Sequence, residues 1–311
     1  MSPRPRGASG RGLNTAEFTL AAVLFTQPSA VIRMSRYLRC GKFTLSLDRP
    51  LIMGVVNITP DSFSDGGNFA TTKTALARVR QLIDEGADII DIGGESTRPG
   101  ALGVALDEER RRVLPVLEQL AGGAVPISVD TQKPELMREA IAAGAALIND
   151  IDALQSPSAL AAVVSSDVAV CLMHKRGTPA DMQVDPHYDD VVAEVLAFLD
   201  RRVRAAHAAG ITSERIVIDP GFGFGKTLEH NLELLRHLDR FGVTSAPVLA
   251  GLSRKGMLGR LTGRDVNDRV FASVAAAVIA VGKGARIVRV HDVAATRDAL
   301  AVWQAVENQS L

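Results

Sequence analysis

The sequence has few of the features that mark disulfide-linked, metal-cluster or membrane proteins. Its 311 residues include two cysteines, Cys40 and Cys171, which are far apart and belong to no Cys-x-x-Cys motif or Cys/His pair with metal-ligand spacing. This spacing argues against a disulfide framework or a zinc site and fits a reducing compartment. No apolar run approaches the ~20 residues that a membrane-spanning helix needs. We therefore expect a cytoplasmic protein without a membrane partner.

The chain also has no excess of charge of either sign. Its 35 basic residues balance its 35 acidic residues, so no global field favours nucleic acid or an anionic membrane as a partner. Hydrophobic residues make up 47% of the chain, which is enough for a large core. A single α/β barrel fits comfortably in this length.

The amino-terminal segment differs in character from the rest of the chain. A few arginines precede a short apolar patch there, as in a signal peptide, but no small-residue cleavage site follows the patch. We expect residues 1–40 to be a disordered or mis-annotated leader, with Met34 as an alternative start. Residues 41–311 are then expected to form the folded domain.

Buried strands and amphipathic helices alternate along residues 51–311. The first strand, 51–56, is a short apolar run that ends on Asn57, which is typical of a parallel strand buried on both faces. Eight strand–helix units in this length predict a (β/α)₈ barrel, with an open doubly wound sheet as the alternative. The alternating residues within 40–50 predict a short β flap over the floor of the barrel.

Polar side chains stand at the end of almost every predicted strand. Catalytic groups in such barrels cluster at the carboxyl ends of the strands, so these side chains should converge. Taken singly, an Asp or Asn in this place could simply cap the next helix. Capping does not account for a lysine, an arginine and a histidine. The polar strand ends are Asn57, Asp130, Asn149, His174, Asp219, Ser253, Lys255, Arg289 and His291.

One group of these residues suits a flat nitrogen heterocycle, and we call it the ring half of the site. Asp130, Asn149 and Asp219 supply acceptors and an amide that match the edge of an aminopyrimidine-type ring with several N–H donors. Two carboxylates at one site repel each other unless cationic or N–H groups lie between them. Lys255 is expected to provide part of that compensation.

A second group suits an anion, and we call it the anion half. Its members, Thr97, Arg98, Arg289 and His291 together with Asn57, stand at or just beyond the ends of predicted strands. Arginine forks match the oxygens of phosphates. Mg²⁺ bound to a diphosphate keeps several waters and needs few protein ligands, so one amide oxygen from Asn57 would be enough.

The glycine-rich stretch 219–227 (DPGFGFGKT) does not match a nucleotide-binding motif. Pro220 stands where a P-loop needs its first glycine, and Lys226 stands where the G-x-G-x-x-G pattern needs its last. Glycines that alternate with Phe222 and Phe224 instead suit a close approach of the backbone to a flat ring, with an aromatic side chain for packing.

Taken together, these stretches resemble the dihydropteroate synthases, pterin-binding (β/α)₈ enzymes of folate biosynthesis. Seven motifs carry the resemblance in order: MGVVNITPDSFSDGG (53–67), DIGGESTRPGA (91–101), SVDTQKP (128–134), IND (148–150), IDPGFGFGK (218–226), GLSRK (251–255) and RVHDV (289–293). The resemblance implies that 4-aminobenzoate condenses with 6-hydroxymethyl-7,8-dihydropterin diphosphate to give 7,8-dihydropteroate and pyrophosphate. It also implies a Mg²⁺ cofactor and a homodimer formed through the last helices, and it implies that sulfonamides inhibit the enzyme.

The resemblance also assigns residues to roles. The residues implied for the pterin diphosphate are Thr97, Asp130, Asn149, Asp219, Lys255, Arg289 and His291. Those implied for the 4-aminobenzoate pocket are Thr59, Pro60, Phe63, Phe224, Ser253 and Arg254. Asn57 is implied as the Mg²⁺ ligand, and the catalytic set is Asp61, Lys255, Arg289 and His291.

Asp61, in the loop after the first strand, carries a separate hypothesis. We expect it to stabilise the cation that forms on the pterin methylene carbon, or to complete the aminobenzoate pocket. Asp61→Ala should then lower kcat much more than it lowers pterin affinity, as steady-state kinetics and pterin titration would measure. Unchanged turnover would refute the role.

Three other classes of protein compete with this interpretation. A methyltetrahydrofolate:corrinoid methyltransferase would share the barrel and the ring half, but it should lack the Arg289/His291 pair and the loop 59–65. A non-catalytic pterin-binding paralogue would have degraded loops, whereas these are intact. A phosphate-binding isomerase or aldolase barrel is the alternative at the level of the fold, although no Schiff-base lysine or proton-abstracting pair stands out.

Overall fold

The computed structural model shows a barrel within the unit formed by residues 34–311. The structure describes Met1 and residues 36–58, 67–96, 100–101, 103–178 and 180–307, with the backbone alone for 67–71. Among the described residues, no helix is long and apolar enough to cross a bilayer.

Eight parallel strands close into a barrel, which confirms the predicted fold. Two further strands precede them as an antiparallel hairpin, β1 (Tyr37–Cys40) and β2 (Phe43–Ser46). The barrel strands are β3 (Leu51–Asn57), β4 (Ile89–Gly93), β5 (Ile127–Asp130), β6 (Leu147–Asp150), β7 (Ala169–Met173), β8 (Ile216–Asp219), β9 (Val248–Ala250) and β10 (Ala285–Val290). They pair in the order β10-β3-β4-β5-β6-β7-β8-β9.

Among the described residues, one α-helix follows each barrel strand except β9, which is followed by two. They are α1 (Gly67–Asp84), α2 (Leu106–Leu120), α3 (Pro134–Ala142), α4 (Pro157–Val164), α5 (Val191–Ala208), α6 (Leu228–Arg236), α7 (Gly256–Thr262), α8 (Val270–Gly282) and α9 (Val293–Glu307).

Local sequence explains where several helices begin. Pro134 opens α3, where its missing N–H costs no helical hydrogen bond. The side chain of Asp190 accepts a hydrogen bond from the backbone N–H of Ala193 and so caps α5. Thr227 and His230 form a reciprocal capping box at the start of α6.

The hairpin closes the amino-terminal end of the barrel. Leu38 and Cys40 of β1 are buried in one apolar cluster with inward-facing residues from the lower part of the barrel, including Leu51, Ile89 and Ile287. The predicted flap over the barrel floor is therefore present. It consists of two short strands rather than one, and its first strand lies within residues 1–40, which we expected to be a leader. The ordered fold thus begins at least as early as β1.

The inward-facing side chains change from apolar to polar along the barrel axis. On β4, Ile89 belongs to the apolar cluster at the bottom, whereas Asp91, two residues further on, faces the same interior and bonds to polar side chains. On β10, Ile287 and Arg289 show the same change. The barrel therefore has an apolar floor and a polar mouth at the carboxyl ends of its strands.

Candidate active site

One cavity of about 380 Å³ lies at the carboxyl ends of the strands. Its lining includes every predicted site residue that the structure describes, from both halves of the site. Those residues are Asn57, Asp130, Asn149, Asp219, Phe224, Ser253, Arg254, Lys255, Arg289 and His291. The remaining predicted residues lie outside the described residues, and they are Thr59, Pro60, Asp61, Phe63, Thr97 and Arg98.

The ring half is a set of nearly buried polar groups. Asp130, Asn149 and Asp219 are each less than a tenth exposed, and Asp130 and Asn149 are register partners on adjacent strands. The Asp219 Oδ1 accepts a hydrogen bond from the backbone N–H of Gly221 at 2.7 Å. Burial raises the pKa of Asp219, and the positive charge of Lys255 opposes that shift.

Lys255 lines the same cavity and is half-buried. Its Nζ donates to the carbonyl oxygen of Phe222 and lies 4.7 Å from the centroid of the Phe224 ring. Burial lowers the pKa of Lys255 to about 8, although the negative charge of Asp219 opposes the shift. Lys255 is therefore the amine in this cavity that can lose its charge near neutral pH.

Arg289 occupies a position that joins the two halves. Its Nε donates to Asp91 at 2.6 Å, and its Nη2 donates to Asp130 at 2.9 Å. Burial lowers the pKa of Arg289, but the charges of Asp91 and Asp130 outweigh burial and raise it. We expected Lys255 to provide part of the charge compensation in the ring half. In the structure, the charge of Lys255 acts on Asp219, and Arg289 supplies another part by bonding to Asp130.

His291 of the anion half contacts Ser253, which together with Arg254 belongs to the implied 4-aminobenzoate pocket. The Ser253 Oγ lies 3.0 Å from His291 Nδ1, and it accepts a hydrogen bond from the backbone N–H of His291 at 3.2 Å. The Arg254 guanidinium makes two hydrogen bonds to Asp292, at 2.6 and 3.1 Å. Arg254 also has a φ of +58°, an uncommon conformation for a residue other than glycine, and it is held by a hydrogen bond to Ser273.

The glycine-rich loop brings Phe222 and Phe224 to the cavity wall, and a buried lysine holds it in place. Lys226 Nζ donates to the carbonyl oxygens of Gly221 at 2.8 Å and Phe224 at 3.0 Å, and it lies 3.0 Å from His174 Nδ1. Burial lowers the pKa of His174 to about 2, so its neutral ring can accept this hydrogen bond. His174 therefore supports the loop rather than lining the cavity.

Sequence reasoning missed two residues of this arrangement, Asp91 and Lys226. Asp91 is fully buried and contacts both Arg289 and Asn149. The signal that could have found it is an acidic residue within an otherwise apolar strand, since a buried carboxylate is costly without partners. In the sequence, Lys226 marks only the position where the G-x-G-x-x-G pattern fails.

Asn57 is suited to a limited role in metal binding. It ends β3, is half-buried and lines the cavity, and its side-chain amide makes no hydrogen bond to other described residues. No group of three or more His, Cys, Asp and Glu side chains in the described ranges could hold a metal ion. This donor set fits a Mg²⁺ ion that is bound mainly by a diphosphate and takes one oxygen from Asn57.

The lowered pKa of Lys255 gives a pH prediction. The amine loses its charge as the pH rises through about 8, and Asp219 then lacks its counter-ion. We expect kcat/KM for the pterin diphosphate to fall above that pH, because this ratio reports groups of the free enzyme. Lys255→Arg is the matched variant, since its guanidinium stays charged. An alkaline fall that persists unchanged in Lys255→Arg would contradict the assignment.

Comparison with known proteins agrees with the geometry. Residues 53–291 match the family model described as pterin binding enzyme. The chain is 52% identical over 279 residues to dihydropteroate synthase of Neisseria meningitidis serogroup C, covering 88% of this chain and 99% of that one. It is 48% identical over 263 residues to dihydropteroate synthase of Escherichia coli K12, covering 84% and 93%.

Solved structures give the same result. Xanthomonas albilineans dihydropteroate synthase with 4-aminobenzoic acid superposes with a TM-score of 0.83 at 56% identity, covering 89% of this chain and 99% of that one. Burkholderia cenocepacia dihydropteroate synthase complexed with 7,8-dihydropteroate superposes with a TM-score of 0.80 at 49% identity, covering 88% and 97%. The chain therefore belongs to the dihydropteroate synthases, transferases of the pterin-binding enzyme family.

Proposed function

We propose that this chain condenses 6-hydroxymethyl-7,8-dihydropterin diphosphate with 4-aminobenzoate, releasing pyrophosphate and 7,8-dihydropteroate. The observation that carries the proposal is one cavity that joins a ring half with two carboxylates and an amide to an anion half with an arginine and a histidine. The corrinoid methyltransferase alternative has no need of the anion half.

The ring half binds the pterin in this proposal. Asp219 and Asp130 accept hydrogen bonds from N–H groups of the ring, and Lys255 donates to a ring acceptor while balancing the charge of Asp219. Because these groups are nearly buried, each interaction with the ring is stronger than it would be in water. This environment also keeps competing water away from the pterin methylene carbon.

The anion half binds the diphosphate and stabilises it as it leaves. Arg289 and His291 supply N–H groups near the bond that breaks, where negative charge develops on the departing oxygen. When bound, Mg²⁺ would neutralise part of the diphosphate charge, and Asn57 would hold it through one oxygen. The C–O bond breaks with its electron pair on pyrophosphate, and the dihydropterin shares the positive charge that remains.

The aminobenzoate is the nucleophile and needs no strong base. A neutral arylamine attacks the methylene carbon and loses its proton after the new C–N bond has formed. Phe224 offers an aromatic face for the benzoate ring, and Ser253 and Arg254 lie in the same wall of the cavity. Since Asp292 binds the Arg254 guanidinium, we propose that Arg254 positions the wall as much as it attracts the carboxylate.

A coupled assay for pyrophosphate release tests this function. We expect release to require both 4-aminobenzoate and Mg²⁺, and 7,8-dihydropteroate to form in equal amounts. Release without 4-aminobenzoate would indicate a hydrolase. Absence of release with both substrates and Mg²⁺ present, under conditions where the protein is folded, would reject the proposal.

We also propose that the enzyme is a cytoplasmic homodimer. Large apolar side chains are exposed on the outer faces of α8, at Phe271 and Ile279, and of α9, at Val302 and Val306. Exposed apolar surface of this kind marks interfaces. Light scattering should give the mass of a dimer, and Phe271→Asp should shift it toward the monomer. The free thiols of Cys40 and Cys171 fit a reducing compartment.

A further inference from the structure

Asp91 is a buried carboxylate that does not line the cavity but contacts residues that do. It lies on β4 with an exposed fraction of 0%. Its Oδ2 accepts hydrogen bonds from Arg289 Nε at 2.6 Å and from Asn149 Nδ2 at 3.3 Å. One carboxylate oxygen therefore connects a residue of the anion half with a residue of the ring half.

The contact with Asp91 sets the direction of the Arg289 guanidinium. Asp91 Oδ2 lies 2.6 Å from both Nε and Nη2, and Asp130 also engages Nη2, at 2.9 Å. The guanidinium is planar and rigid, so fixing two of its nitrogens also fixes the third. The third, Nη1, makes no hydrogen bond to any described residue. Because Arg289 lines the cavity, Nη1 is the nitrogen left to meet a bound anion.

The same carboxylate sets the orientation of the Asn149 amide. The Asn149 Nδ2 donates to Asp91, so the amide nitrogen is turned toward the barrel interior. The amide oxygen, on the opposite side of the planar group, is thereby turned toward the cavity. Asn149 then presents an acceptor to a ring N–H, as the acceptors of Asp130 and Asp219 do.

A purely structural role does not account for Asp91. Its other oxygen, Oδ1, is buried and has no hydrogen-bond partner among the described residues. Burying a carboxylate that is only partly satisfied costs free energy, and an apolar residue of similar size would fill the same space at lower cost. The charge of Asp91 is therefore best explained by what it does to Arg289 and Asn149.

We propose that Asp91 is a positioning residue, which aims Arg289 Nη1 at the diphosphate and the Asn149 oxygen at the pterin ring. The inference rests on the proposed function, which assigns Arg289 and Asn149 to the pterin diphosphate. It predicts that loss of the Asp91 charge impairs use of this substrate and leaves use of 4-aminobenzoate largely intact.

Asp91→Asn tests the proposal because it keeps the shape and removes the charge. We expect kcat/KM for the pterin diphosphate to fall about 100-fold, since breaking a buried charge pair is costly. KM for 4-aminobenzoate should stay near that of the parent enzyme, because a structural loss alone would not separate the two substrates. The matched control is Ser128→Ala, at the register partner of Asp91, whose hydroxyl has no hydrogen-bond partner in the described structure. This control should behave as the parent does.

A double-mutant cycle with Arg289→Ala distinguishes an effect of Asp91 on the position of Arg289 from a general loss of structure. If Asp91 acts through Arg289, Asp91→Asn should add little further loss in the Arg289→Ala background. Full additivity, or an Asp91→Asn enzyme equal to the parent, would overturn the inference. If Arg289→Ala itself were neutral, the assignment of Arg289 under the proposed function would fail as well. Should Asp91→Asn not fold, Asp91→Ser, with a smaller side chain, replaces it in the same measurements.

Discussion

Replacing Asp219 with asparagine is expected to lower kcat/KM for the pterin diphosphate about 1,000-fold, because the lost interaction with the ring, about 1.5–3 kcal/mol, adds to the cost of an uncompensated buried charge. The new amide would turn an N–H toward donors of the ring or toward the backbone N–H of Gly221. Lys255 would lose the carboxylate that supports its charge. Steady-state kinetics with 4-aminobenzoate held at saturation would measure the change.

Asp107→Asn is the matched control for this variant. Asp107 is the same residue type, its side chain is 92% exposed, and its ion pair with Arg110 lies on the surface. Such a pair contributes little, so this variant should keep full activity. A loss of less than tenfold in Asp219→Asn would show that the pterin ring does not depend on this carboxylate.

Replacing Gly221 with alanine is expected to destabilise the protein by about 4 kcal/mol or more, at the upper end of single substitutions. Gly221 has a φ of +70°, and a Cβ atom there would overlap the backbone carbonyl oxygen of His174. The loop would have to move, and Phe222 and Phe224 would leave the cavity wall. Urea unfolding would measure the stability, and kinetics should show a rise in KM for both substrates.

Gly122→Ala separates the overlap from the backbone conformation. Gly122 has a φ of +82°, but no atom lies within 4 Å of the position that its Cβ would take. The free energy of unfolding of this variant should fall only by the cost of the left-handed backbone conformation, about 1–2 kcal/mol. Equal losses of stability in Gly221→Ala and Gly122→Ala would mean that the overlap with His174 does not destabilise the protein.

The barrel could be predicted from the sequence because its signals are local. Each barrel strand is a short, mainly apolar run, and most helices carry an apolar stripe with a stop residue. Short windows of sequence are therefore enough to identify the elements and their order. The strand β1 escaped prediction because it is four residues long and only Leu38 and Cys40 are buried. The alternation of exposed and buried residues in β1 indicates a strand only once β2 is known to pair with it.

The membership of the site could also be predicted, because parallel strands of one barrel end at one mouth. The hydrogen bonds and ion pairs among the site residues could not be predicted. Arg289 bonds to Asp91 across 198 positions of sequence, and nothing local in either strand indicates which carboxylate the arginine will choose. The same is true of Lys226 and His174, which look like a failed motif and an isolated histidine until the loop is folded.

The plugged floor of the barrel has a consequence for the order of events in catalysis. Since β1 and β2 close the lower end, a molecule reaches the described part of the cavity from above. Asp130, Asn149 and Asp219 are nearly buried, whereas Gly256 and Val266, which line the same cavity, are exposed. A molecule of 4-aminobenzoate that binds before the pterin diphosphate would lie between the solvent and the buried pterin residues. High concentrations of 4-aminobenzoate should therefore inhibit turnover, because they block entry of the pterin diphosphate.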